Sequence, residues 1–137
     1  MASDARPGPG QIGRIDLTVP DADGVRDFYR DVTGWTPAPV SMGDYQNYCM
    51  NAANGQSEAG ICHARGDNSG LPAASLIYIA VADSDPALQR CETRGGKLLG
   101  TPKSAGDGSR FCAIQFRAIQ DPAGAIAPLY QPRTGPA

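Results

Sequence analysis

Few side chains in this sequence could do chemistry, and spacing brings the strongest of them together. Arg14 and Asp16 lie two apart in an alternating run, and His63 is the single histidine. Residues i and i+2 of a strand share a face, so Arg14 and Asp16 are expected side by side. A histidine beside a carboxylate titrates near neutrality and can move a proton, with the carboxylate fixing its tautomer. On that logic His63 and Asp16 are the catalytic candidates, and Arg14, permanently cationic, would bind an oxyanion or carboxylate. The bland reading pairs Arg14 with Asp16 at a rim and makes His63 a structural residue. Aromatic side chains complete the set: Tyr48, Tyr78, Phe111 and Tyr130 join Arg14, Asp16 and His63 as candidate ligand contacts. A buried phenol wants a polar partner, which favours ligand-facing places for Tyr78 and Tyr130. On these readings His63→Ala weakens ligand binding and leaves the fold intact.

The four cysteines, Cys49, Cys62, Cys91 and Cys112, form no CxxC pair, and one histidine cannot complete a Cys/His zinc pattern. They read as reduced, mostly buried small hydrophobes, with Cys62 a core residue on the face opposite His63.

The elements that position these residues occur twice. A strand over 12–19 alternates Ile15, Leu17 and Val19 against Arg14, Asp16 and Thr18. A helix follows, capped by Asp21 or Asp23, with Val25, Phe28, Tyr29 and Val32 at helical spacing and Gly34 at its C-cap. Phe28 and Tyr29 are expected to pack on the sheet, and Trp35 to cover one end. Short strands follow over 35–40, 45–50 and 59–64. After a breaker-rich connector the order repeats: a strand over 75–81, a helix begun by Asp85-Pro86 with Leu88 and Cys91 inward, and a stop at Gly95-Gly96. Then come a short strand over 97–100, a loop over 101–108, a strand over 110–120, the Asp121-Pro-Ala-Gly124 turn and a last strand over 125–131. Ala113-Ile-Gln-Phe-Arg117 is nearly repeated by Ala118-Ile-Gln-Asp-Pro122, which leaves the register over 110–121 open. The organisation is a flexible tail over 1–10, a first βαβββ module over 11–66, a linker over 67–74 and a second module over 75–132, all within one domain. Self-similarity of this kind sets the architecture before any motif does.

The formal charge of −2 and the lack of a Lys/Arg cluster argue against nucleic acid as a partner. No apolar run reaches membrane-spanning length, and the N-terminus lacks the apolar core of a signal peptide, so a cytoplasmic protein is expected.

Two βαβββ units, with Asp-Phe-Tyr-Arg-Asp-Val-Thr-Gly-Trp at 27–35 closing the first helix and Asp121-Pro-Ala-Gly124 before the last strand, resemble the vicinal oxygen chelate superfamily. That group holds glyoxalase I, extradiol dioxygenases, fosfomycin-resistance enzymes, methylmalonyl-CoA epimerase and bleomycin-resistance proteins. The resemblance runs from about Gly10 to Gln131. It implies an α+β fold in which two βαβββ modules form a curved, cup-like mixed sheet with helices outside and a ligand in the cup. It also implies homodimerisation. In metal-dependent members a divalent ion is held from the start of each first strand and the middle of each last strand.

Carried onto this chain, with Ile61 aligned to Ile126, those positions are Arg14, Leu76, His63 and Pro128. Arg14 would repel an ion, and Leu76 and Pro128 have no donor, whereas a catalytic site needs about three protein ligands. No metal or other cofactor is therefore expected. By alternation the cup would be lined by Arg14, Asp16, Ile61, His63, Arg65, Leu76, Tyr78, Ala80, Ile126, Pro128 and Tyr130, a mostly apolar surface with a polar corner. The leading function is a metal-free small-molecule binding, sequestering protein. The alternatives are a metal-free lyase or isomerase using His63 with Asp16, or a metal-dependent lyase or dioxygenase if the register differs.

Overall fold

The computed structural model describes residues 8–65, 69–100 and 113–132. It is an α+β fold in which the order strand, helix, strand, strand, strand occurs twice. The first pass comprises β1 (Ile12–Val19), α1 (Ala22–Thr33), β2 (Thr36–Ser41), β3 (Gln46–Asn51) and β4 (Ser57–His63). The second comprises β5 (Ser75–Ala80), α2 (Ser84–Thr93), β6 (Lys97–Leu98), β7 (Ala113–Gln120) and β8 (Ile126–Pro132). The chain divides into two compact units: Arg14–Ser75, and Leu76 onward together with the segment that ends at Gly13.

In the first unit the strands lie in the order β2-β3-β4-β1. β1 and β4 run parallel, and the other neighbours antiparallel. The second unit has the matching order β6-β7-β8-β5, with β5 and β8 parallel. A helix after the first strand forces a crossover, which is why the first and last strands of each unit pair in parallel.

α1 starts where Asp21 accepts a hydrogen bond from the Gly24 amide at 3.0 Å, and it stops where Gly34 takes the left-handed conformation, φ 80°. Ala22, Val25 and Tyr29 make its packed stripe. They meet Leu17, Val19, Trp35, Tyr48, Met50 and Ile61 in the core of this unit. The expected sheet contact of Phe28 is not made: it stands 57% exposed, one step around the helix from Tyr29. Val32, in the last turn beyond that cluster, is exposed as well. Trp35 packs against this core, its ring 5.9 Å from that of Tyr29.

α2 begins two residues earlier than the Asp85-Pro86 signal suggests, with Asp83 at the N-cap and Pro86 third in the helix, where the missing amide still costs no hydrogen bond. Asp83 makes no side-chain cap. The Ser84 amide donates instead to Gln131 Oε1 at 2.8 Å. The Asp121 turn behaves as its composition predicts: Asp121 Oδ1 accepts from the Ala123 and Ala125 amides and delivers the chain into β8. The register left open by the near-repeat is settled by pairing, from Gln120 opposite Ile126 to Ala113 opposite Pro132, with an irregularity between Ala113 and Gln115. The expected loop over 101–108, the start of the 110–120 strand and Phe111 lie outside the described residues.

Candidate functional site

The two faces of β1 have different fates. Leu17 and Val19 turn toward α1, so Arg14, Asp16 and Thr18 turn to the opposite, helix-free side. Pairing carries that division onto the neighbouring strands. Asp16 lies opposite Gly60 and Thr18 opposite Cys62, and Cys49 lies opposite Gly60 from β3, so all share the helix-free face. Arg14 donates to Asp16 Oδ1 from Nε at 2.8 Å, and its Nη2 stands 2.8 Å from the same oxygen. The pair is withdrawn from water, Asp16 being 3% exposed. Gly60 is what makes room for it: a Cβ there would overlap the Asp16 carboxylate and press on Arg14 Nη2. Burial pushes the Asp16 carboxyl above its ordinary 3.8, opposed by the charge and hydrogen bond of Arg14 and by the Gly60 backbone. Burial, reinforced by Asp16, pushes the Cys62 thiol up to about 12. A thiol held protonated in this way is no nucleophile at neutral pH.

His63 is elsewhere. It pairs with Val19, on the α1 side of the sheet, and so cannot form the expected dyad with Asp16 on the other side. Its Nε2 stands 3.5 Å from Asp23 Oδ1, in the first turn of α1, and its backbone amide donates to Asn47 Oδ1 at 2.9 Å. Tyr48 is on this side too: its hydroxyl donates to Asp23 Oδ1 at 2.6 Å and accepts from Arg26 Nη1 at 2.8 Å. Tyr45 meets the His63 ring edge-on, and the Arg65 guanidinium lies 3.9 Å over the Tyr45 ring. The Tyr48 hydrogen bond is the main reason the Asp23 carboxyl sits below its usual 3.8, and the same bond pushes the Tyr48 phenol above 10. Asp23 and Arg26 are central to this cluster, and reading Asp23 only as a helix cap missed both. Their i, i+3 spacing in the first turn was the available signal.

The misplacement has a definite source. Ile61 faces Leu17 as Leu129 faces Ile79, so the counterpart of Ile61 is Leu129 and not Ile126. The offset is three residues, and an odd offset exchanges the faces of a strand. Ile61, His63 and Arg65 thus leave the face shared by Arg14 and Asp16. The counterpart of His63 becomes Gln131, which reaches the first residue of α2 as His63 reaches the first turn of α1.

In the second unit Tyr130 pairs with Ala80, and both lie on the strand faces that also carry Tyr78 and Pro128. Gln131 points to α2, so these residues point away from it. Tyr130 is 2% exposed and Tyr78 is also buried. The Tyr130 phenol rests on the backbone of Gly13, where a Cβ would overlap it.

Among the described residues a divalent ion finds no fitting set of ligands. The first-strand position in unit one holds the Arg14 guanidinium, already joined to the carboxylate beside it. Among the described residues no three His, Cys, Asp or Glu side chains converge as a metal site. Nor is any described helix long and apolar enough to cross a membrane.

Paired βαβββ units whose helix-free faces carry buried polar and aromatic side chains define a class of α+β proteins. Residues 11–126 match the family model described as the Glyoxalase/Bleomycin resistance protein/Dioxygenase superfamily, and the chain belongs to that family. Among curated proteins it is similar to the anthracycline biosynthesis protein DnrV of Streptomyces peucetius, 30% identical over 90% of this chain and 47% of DnrV. It is also similar to the putative glyoxylase CFP32 of Mycobacterium tuberculosis, 30% identical over 77% of this chain and 38% of that protein. The chain therefore spans about half the length, or less, of the curated relatives it matches. Among solved structures, methylmalonyl-CoA epimerase of Streptomyces coelicolor superposes with a TM-score of 0.57 at 16% identity, over 93% of this chain and 100% of that one. At that identity the likeness speaks for the fold alone.

Proposed function

We propose that this family member is a metal-independent binding protein for a planar aromatic small molecule. The observation that carries the reading is the Arg14–Asp16 pair, buried on the helix-free face of the first unit, with Arg14 at the first-strand position that the family resemblance assigns to a metal ligand. Arg14 and Asp16 supply orientation. Tyr78 and Tyr130, on the helix-free face of the second unit, supply flat apolar area with a polar tip. Tyr48 and His63 take no part, because strand pairing puts them on the α1 side of the sheet, away from Arg14 and Asp16. The similarity to a protein named for anthracycline biosynthesis supports polycyclic aromatics as the ligand class. DnrV is about twice as long as this chain; for this chain the family resemblance implies a homodimer. Light scattering should then report twice the monomer mass.

The test is calorimetric titration of the chelator-treated chain with a panel of anthraquinones and anthracyclines. Saturable binding that chelator leaves unchanged is expected, with Tyr130→Ala weakening it tenfold or more, which is about 1.4 kcal/mol. Binding that appears only after Mn, Co, Ni or Zn is added, or no binding by any member of the panel, would end this reading.

A further inference from the structure

We propose that the flank of α2 carrying Arg90 and Arg94 is a binding site for a phosphate group, free or carried by a small molecule, held between the two guanidinium groups. The site lies on the α2 side of the second unit, away from the face of Tyr78 and Tyr130, so it stands apart from the functional reading above.

The other arginines of the described residues all have partners. Arg14 pairs with Asp16, Arg26 with Asp23 and Asp27, Arg30 with Asp27 and Asp31, and Arg65 with Asp44. Arg117 donates to the carbonyls of Leu99 and Gly100. Arg90 and Arg94 are exposed, and among the described residues neither reaches a carboxylate. Comparison with α1 gives the reason. Both helices carry two arginines four apart, which are neighbours on a helix surface. In α1 an aspartate stands three before and one after each arginine, at Asp23, Asp27 and Asp31. The same spacing about Arg90 and Arg94 finds Ala87, Cys91 and Gly95, all neutral. Glu92 is two residues from each arginine, and a residue two away in a helix faces elsewhere. Asp85 stands about 140° round the helix from Arg90.

The space for an anion is present. Pro86, Gln89, Arg90, Thr93 and Arg94 bound a cavity of about 280 Å³, and none of the five is acidic. That volume lies just under the range of roughly 300–1,000 Å³ usual for drug-sized ligands, which suits a phosphate with a few carbon atoms. Charge selects phosphate over a single carboxylate. A phosphate monoester carries about −1.5 to −2 at neutral pH, a match for two guanidinium groups. Its oxygens can accept from two arginine forks at once, whereas one carboxylate fills one fork and leaves the second cation unbalanced. The Thr93 hydroxyl is committed to the Gln89 carbonyl at 2.9 Å, which leaves the Gln89 amide as the neutral donor.

The test titrates the full chain with glycerol 3-phosphate and with inorganic phosphate at pH 8 and fixed ionic strength, followed by ³¹P NMR and thermal unfolding. Saturable binding at roughly 1 mM or tighter is expected, with a rise in Tm. Arg90→Gln and Arg94→Gln should each weaken it by roughly fivefold or more, and the double variant should abolish it. Arg90→Lys/Arg94→Lys keeps the charge but loses the forks, and should also bind more weakly. Arg30→Gln, an exposed arginine of α1, should bind as the wild type does. Tighter binding of glycerol 3-phosphate would place a small phosphate ester in the cavity, and equal affinities would assign it to free phosphate; both uphold the site. No saturation by either probe would overturn it, as would acetate matching phosphate at the same ionic strength. A double glutamine or double lysine variant that binds like the wild type would overturn it too.

Discussion

At the scale of single residues, two side chains on the helix-free faces depend on glycines beneath them. The Asp16 carboxylate lies over Gly60 and the Tyr130 phenol over Gly13. Neither glycine has a positive φ; what each supplies is the missing Cβ. Gly60→Ala should therefore cost about 1–3 kcal/mol, the range for forcing extra volume into a packed site, and should displace the Arg14–Asp16 pair. Chemical denaturation measures the loss, and a destabilisation within ~0.5 kcal/mol of zero would show that the pair can move aside. The lone histidine teaches the opposite lesson. A residue type that suggests catalysis is engaged in fastening a strand end to a helix, and its partner is an aspartate that sequence reading had spent on capping.

At the scale of elements, the connection between the last strand of each unit and the start of its helix is made twice by different chemistry. Unit one uses His63 against Asp23, with Tyr48 and Arg26 converging on the same carboxylate; unit two uses Gln131 against a backbone amide. His63→Gln should then be nearly neutral in stability, since an amide serves at the corresponding place. A loss of native circular dichroism would show that the imidazole itself is required. The Asp23 carboxyl also sets a pH dependence. Its pKa is lower in the folded protein than the ordinary 3.8, so its contribution is fully present above that value and is lost as pH falls through the folded-state pKa. The stability gap between wild type and Asp23→Asn should stay constant at neutral pH and shrink below about pH 4. A gap that does not change in acid would mean the carboxylate gains nothing from Tyr48.

At the scale of the whole molecule, the chain is a doubled βαβββ protein of the glyoxalase, bleomycin-resistance and dioxygenase family, with a different filling on the helix-free face of each unit. One unit buries an ion pair and the other buries tyrosines. Expression in medium supplied with Fe, Mn, Ni, Co and Zn, followed by elemental analysis, should find less than roughly a tenth of an equivalent of any of them. A stoichiometric ion would restore metal-dependent chemistry as the leading reading.

Much of this was legible in the residues. The 3.6-residue spacing of Val25 and Tyr29 with Asp21 and Gly34 at the ends marked α1, and alternation in β1 set Arg14 and Asp16 on one face against Leu17 and Val19. These are local properties, carried by backbone sterics and by neighbours in the chain. Which face a distant strand turns to the helix is not local. Alternation along β4 says that Ile61 and His63 share a side and that Cys62 takes the other, but not which side is which. That choice is made by the hydrogen-bonded register with β1, where Val19 meets His63 and Asp16 meets Gly60. Because the side-chain period is two, one odd offset in comparing the halves was enough to put His63 beside the wrong aspartate. The sequence by itself therefore determined the elements, their duplication and the shared face of Arg14 and Asp16; the tertiary structure alone decided that those two form a buried ion pair and that His63 and Tyr48 belong to α1, because only strand pairing joins residues so far apart in the chain.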